Sequence, residues 1–283
     1  FSARAPGSLL TPLVAVAAFA RGFSPASLVW DIPASSPGDL AGVDGPQVDL
    51  DVQNASGPQT YRGPLRLRQA LANDYLTPIA GLIDQLGAQN VWRLGTALGL
   101  SSLASQDSLE LIYDQGQVSG LEMAQLYAIF ASQGVRNGQS LAGEVQPALT
   151  LYVEDVVSGE VLLDARQPET QVVLSAPLAY LVHNVLSDSL ARRPSLGYPN
   201  LLEIGRPSGA KIGQVTAPDI LAAPGTALPE MTATSQLVTS GSAAWTAGYT
   251  RQRVAVFWLG SQDTRQAPDS SSTTPGAASM PGA

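Results

Sequence analysis

Residues 5–22 read APGSLLTPLVAVAAFARG, and this stretch decides the fold. Ala5-Pro6-Gly7 is a turn-forming entry. From residue 8 to 21 apolar side chains surround the predicted helix on every side, and Gly22 follows where a stop is expected. The apolar run between Leu9 and Ala20 is too short to span a bilayer. It has no charged region before it and no initiator Met, so it does not read as a signal peptide. It reads as a buried helix around which the rest of the chain is layered. A chain that starts at Phe1 is expected to be a fragment or a trimmed chain, with any membrane anchor or further domain lying before it.

Outward from this helix the pattern changes twice. Residues 30–63 are rich in Pro, Gly, Asp and Ser and are expected to be irregular. Helices are expected at 66–75, 78–86 and 91–98, with Gly87 and Gly99 as stops. A further helix at 120–133 is expected to turn Leu121, Ala124, Leu126, Ala128 and Ile129 inward. The later half is built of strands. Residues 149–157 and 160–164 flank Ser158-Gly159, a hairpin signal. A helix at 176–189 follows, then strands at 209–215, 245–249 and 254–260. The last, VAVFWLG, is continuously apolar and is expected to be central. Residues 216–240 read as a loop. The fold class is therefore α/β of the α+β kind: a mainly antiparallel sheet flanked by helices, with an inserted helical subdomain. One domain is expected over 1–260, with the helical subdomain at about 30–145, and a disordered tail at 261–283.

Composition narrows the function. The chain has 283 residues, 45% hydrophobic and 13% charged, which describes a globular protein with a sizeable core. The formal charge of -8 argues against nucleic acid as a partner. Arg62, Arg66 and Arg68 have helical spacing and are read as a solvated face. Cysteine is absent, which excludes disulfides, thiolate metal sites and a cysteine nucleophile. The one histidine, His183, excludes a multi-histidine metal site, and any Ser-His-Asp triad would have to use it. Placed among apolar neighbours on a helix, it is read as structural.

Several strings, in order, carry a resemblance. They are Ala5-Pro6-Gly7-Ser8 with Pro12; Tyr61, Gly63-Pro64, Leu67, Ala70-Leu71-Ala72-Asn73 and Pro78; Gly116-Gln117-Val118 through Leu126-Tyr127-Ala128 to Gly134-Val135; Ala210-Lys211-Ile212-Gly213; and Ala244-Trp245-Thr246-Ala247-Gly248-Tyr249-Thr250. Each alone is weak. Together, over nearly the whole of residues 4–260, they resemble the transpeptidase domain of class A, bifunctional penicillin-binding proteins. The resemblance implies a serine that attacks a D-Ala-D-Ala stem peptide, an acyl-enzyme that β-lactams trap, no cofactor and no metal. It also implies an extracytoplasmic location, cell-wall partners and an upstream glycosyltransferase domain.

Three motifs do this chemistry in the family. In S-x-x-K, a lysine one helical turn after the serine shares its face and activates a hydroxyl that is otherwise a poor nucleophile. S-x-N relays the proton, and K-T-G binds the substrate carboxylate. Here the nucleophile position is Ser8 and the lysine position is Thr11, whose hydroxyl is no base near pH 7. The second motif aligns with Asp74-Tyr75-Leu76, so the relay hydroxyl and the amide are both gone. The third aligns with Lys211-Ile212-Gly213, which keeps the substrate-binding cation and glycine but loses the hydroxyl. Lys211 is the only lysine in the chain, so no other alignment restores S-x-x-K.

Three readings follow. A pseudoenzyme would keep the scaffold for binding or scaffolding, with Ser8 an ordinary helix N-cap. An active D,D-transpeptidase would be acylated at Ser8, with Asp74 as substitute base. A serine β-lactamase on the same fold also needs the absent lysine and ranks last.

Overall fold

Helix α1 (Thr11–Ala20) runs through the centre of the fold, and the computed structural model describes residues 3–32, 61–141, 143–215 and 243–260 around it. Its sequence TPLVAVAAFA places Pro in the first turn, where the missing N–H is no loss. Leu13, Val14, Ala15, Val16 and Ala18 have no exposed surface. The all-round apolar pattern is thus met by burial on all sides. The first turn of the expected helix is instead a 3-10 turn, Gly7–Leu10.

Strands β1 (Leu28–Asp31) and β2 (Gly63–Arg66) pair antiparallel. Then come α2 (Leu67–Asn73), α3 (Leu76–Leu86), α4 (Ala88–Ala97) and α5 (Gly120–Ala131). Ser119 opens α5 with a capping box: its hydroxyl accepts from the Glu122 N–H, and Glu122 accepts from the Ser119 N–H. The inner face of α5 differs from expectation. Met123, Leu126, Tyr127, Ile129 and Phe130 are buried, whereas Leu121, Ala124 and Ala128 are half-exposed. Selecting aliphatic residues passed over the two aromatic side chains that supply most of the packing. Arg62 and Arg66 are exposed, as a solvated face would be, but Arg68 is half-buried and engaged. Arg68 bonds Asp188 at 2.9 Å and the Asn184 carbonyl at 3.0 Å, and Arg62 lies 3.9 Å from the Tyr75 ring centre.

The second half holds β3 (Val135–Leu141), β4 (Glu144–Gln146), β5 (Tyr152–Glu154), β6 (Val161–Asp164) and β7 (Glu169–Val172). The expected hairpin is β5 with β6, shorter than the sequence pattern. Helices α6 (Ala176–Leu186) and α7 (Arg193–Leu196) lead into β8 (Gly209–Val215), β9 (Ala243–Tyr249) and β10 (Val254–Leu259). These three form one antiparallel sheet in the order β10-β9-β8. Among the described residues β10 is an edge, not central, and its burial alternates, with Phe257 and Leu259 exposed. A continuous apolar run carries no period, so it could not report which face is covered. The loop expected at 216–240, the tail expected at 261–283 and most of 30–63 lie outside the described residues.

β8 presses directly on the 3-10 turn. A Cβ on Gly213 would stand 2.6 Å from the Leu9 nitrogen, and one on Gly7 would stand 2.2 Å from the Gln214 carbonyl oxygen. Gly7 also has φ +55, the left-handed region. Buried Arg192 fixes β8 from the other side, donating to the carbonyls of Leu186 at 2.7 Å and Ala210 at 3.3 Å.

Gly7→Ala should therefore destabilise the chain by about 3 kcal/mol, combining backbone strain and a clash with fixed backbone. Gly22→Ala, at φ +94 but facing open space, should cost about 1 kcal/mol. Urea midpoints of the two variants check this; equal shifts would mean that β8 yields to the added methyl.

Candidate active site

The 3-10 turn sets Ser8 at its second position, fully buried. Thr11 closes the turn with both of its donors: its N–H and its hydroxyl, the latter at 2.8 Å, bond the Ser8 carbonyl. Thr11 thus acts as a peg for the serine's own backbone.

Asp74 ends α2 in the left-handed conformation, φ 60 and ψ 39, a geometry that Asp tolerates better than most residues. Its N–H bonds the Ala70 carbonyl. The chain turns back there, and the carboxylate points at Ser8. One carboxylate oxygen, Oδ2, accepts the Ser8 hydroxyl in a very short hydrogen bond. The other, Oδ1, accepts from Lys211 Nζ at 2.5 Å. Lys211, on β8, is 2% exposed and also donates to the Ile212 carbonyl at 2.7 Å. The Gln214 N–H donates to Ser8 Oγ at 2.7 Å. Ser8, Asp74 and Lys211 are thus joined, with Thr11 behind them and Gly213 packed against Leu9.

The N-cap reading of Ser8 does not hold, because its side chain bonds no helix N–H and is engaged across the fold. Sequence reasoning also missed two supports. The buried Tyr127 hydroxyl donates to the Leu9 carbonyl at 3.0 Å, and the Gln214 backbone holds Ser8. Neither bond has a local signal, since each joins segments more than a hundred residues apart. Trp245 is a core residue, and its indole N–H donates to the Ala5 carbonyl at 2.8 Å. His183 stands apart on α6, with Nδ1 3.2 Å from the Tyr249 hydroxyl. Burial pushes its imidazole below the ordinary range and pushes Tyr249 and Tyr127 up, so all three are neutral at pH 7. No group of three His, Asp or Glu that could hold a metal occurs among the described residues.

The chemistry open to this arrangement is limited. A base must take the serine proton as the oxygen attacks. Asp74 is in reach, but a carboxylate is a far weaker base than an amine, and its second oxygen carries the lysine cation. The Gln214 N–H draws on the hydroxyl's electron pairs. Nothing of Ser8 is open to a carbonyl carbon.

No protein-family model matches the chain. Among solved structures it is similar to the penicillin-binding protein PonA1 from Mycobacterium tuberculosis, with TM-score 0.68 and 20% identity over 94% of this chain and 62% of that one. Penicillin-binding protein 1A from Haemophilus influenzae gives TM-score 0.66 and 20% identity over 93% of this chain and 38% of that one. The fold is that of a penicillin-binding-protein transpeptidase domain. Sequence comparison agrees. Penicillin-binding protein 1A of Neisseria meningitidis serogroup A is 25% identical over 189 residues, and that of Aquifex aeolicus is 28% identical over 201. These alignments cover 65% and 68% of this chain but 22% and 24% of the relatives, so the chain spans under a quarter of their length.

Two tests address the transpeptidase-fold site. Removing one partner of a buried ion pair strands the other, at about 3 kcal/mol or more. Lys211→Met and Asp74→Asn should each lower the urea midpoint, and the double variant should recover most of the loss. Strictly additive losses would mean that the pair does not hold the site. For His183, the folded chain binds the proton less readily than the unfolded chain, where imidazole titrates near ~6.5. Its stabilising contribution is therefore full above that pH and falls as pH drops through it. Comparing His183→Phe with the parent between pH 7.5 and about 5.5 should show a shallower slope in the variant.

Proposed function

We propose that this is a non-catalytic transpeptidase-like domain of peptidoglycan synthesis that acts by binding or scaffolding. The observation that carries the reading is that the only lysine, Lys211, is bound to Asp74, which in turn holds a fully buried Ser8. Among the structural neighbours, PonA1 is described in complex with penicillin V, and penicillin-binding protein A as an imipenem acyl-enzyme. Covalent chemistry therefore belongs to proteins of this fold. In this chain the serine is present without an amine free to activate it. The proposal takes residues 1–260 as one domain with its helical subdomain at about 30–145. It places the domain at the extracytoplasmic face of the bacterial membrane, with stem peptide or cell-wall synthesis proteins as partners and a glycosyltransferase domain upstream. No helix among the described residues is long and apolar enough to cross a membrane.

One observation favours a second reading. The Ser8 hydroxyl donates to the Asp74 carboxylate, which places a nucleophile beside a base and would support slow acylation at Ser8.

Incubation with a fluorescent penicillin, read on a denaturing gel, separates the two readings. The expected result is no covalent band even at long times and high probe concentration. A band that vanishes in Ser8→Ala would sink the non-catalytic reading; its loss in Asp74→Asn would then name the base.

A further inference from the structure

A second concavity, of about 490 Å³, opens between the end of α5, helix α6 and the turn after β9. Its size suits a small organic molecule. None of its lining residues belongs to the Ser8–Asp74–Lys211 group. Phe130, Ala131, Tyr180 and Pro207 form apolar walls, and His183 and Arg251 contribute polar groups. No acidic residue lines it, in a chain that carries 23 Asp and Glu against 15 Lys and Arg. With Arg251 in the lining and no acid beside it, negative charge is the complement of this hollow.

The polar groups are open for use. Arg251 forms no ion pair or hydrogen bond with the described residues. The buried Tyr249 hydroxyl lies 3.2 Å from His183 Nδ1, and in the tautomer in which Nδ1 accepts from it the neutral ring carries its proton on Nε2. That N–H has no partner among the described residues. A guanidinium fork and a neutral imidazole N–H, set between apolar walls, match one planar oxyanion joined to an apolar body. The Tyr249 that orients His183 is itself fixed by the close approach of β8: a Cβ on Gly209 would fall 2.4 Å from its ring.

We propose that this concavity binds a small carboxylate carrying an apolar or aromatic body, with Arg251 and His183 at the carboxylate. The site stands whether or not Ser8 is ever acylated.

The histidine is alone in the sequence, so its ring protons give an unambiguous NMR reporter. Phenylacetate titrated into the full chain should shift them saturably at millimolar concentration. Phenylacetamide, of the same shape without the charge, should bind at least about tenfold more weakly. Arg251→Gln, at an exposed turn, should weaken phenylacetate about tenfold, and Arg251→Lys should weaken it less. No saturable shift with phenylacetate would overturn the proposal. Equal binding of the amide would remove the carboxylate from it. Binding of inorganic phosphate as strong as phenylacetate would overturn the apolar body, leaving a general anion contact.

Discussion

The carboxylate of Asp74 joins three segments that are far apart in the chain. It takes the hydroxyl of Ser8 from the 3-10 turn and the ammonium of Lys211 from β8, with little of either charged side chain exposed. A buried pair of this kind gains its worth from complete satisfaction, since a lone buried charge is heavily penalised. Here satisfaction is close to complete. The second contact of Lys211 is a carbonyl, and the second contact of Ser8 is an N–H. The geometry around it follows. β8 lies close enough to the turn that only glycine fits at residues 7 and 213, and Arg192 and Tyr127 hold the flanking backbone.

On the proposed non-catalytic reading, the same interaction accounts for a transpeptidase fold that persists without the chemistry. In the family, the second motif offers a hydroxyl, and its cations stay available for proton transfer and for the substrate. Here an acid stands at the relay position, and an acid beside the third-motif lysine forms a pair. On that reading one acid both stands in place of a relay hydroxyl and occupies the lysine. Thr11 completes the change, since its short side chain folds back onto the Ser8 carbonyl. On that reading the site keeps its packing, and its polar groups bond one another.

Much of this was legible in the sequence, and the limits are physical. The buried helix, the helices between 67 and 131, and β8 and β9 follow from period and from glycine placement, which are local signals. The edge position of β10 was not legible, because an unbroken apolar run has no face. The inner side of α5 was half legible: aliphatic residues marked the helix, but its direction was set by Tyr127 and Phe130 against the sheet. At the site, the motif order named Ser8, Thr11, Asp74, Lys211 and Gly213, which the structure brings together. That Asp74 bridges the other two, and that a backbone N–H and a tyrosine hydroxyl support the turn, depended on contacts across more than sixty residues.

The solitary, buried Lys211 has a consequence for how this molecule meets reagents. With one side-chain amine in the whole chain, held at 2% exposure, amine-directed acylating agents have a single side-chain target, and it is shielded. Any modification there requires β8 to part from the turn first. The rate at which that amine becomes modified is then a clock for the parting of β8 from the turn, carried by the protein without an added label.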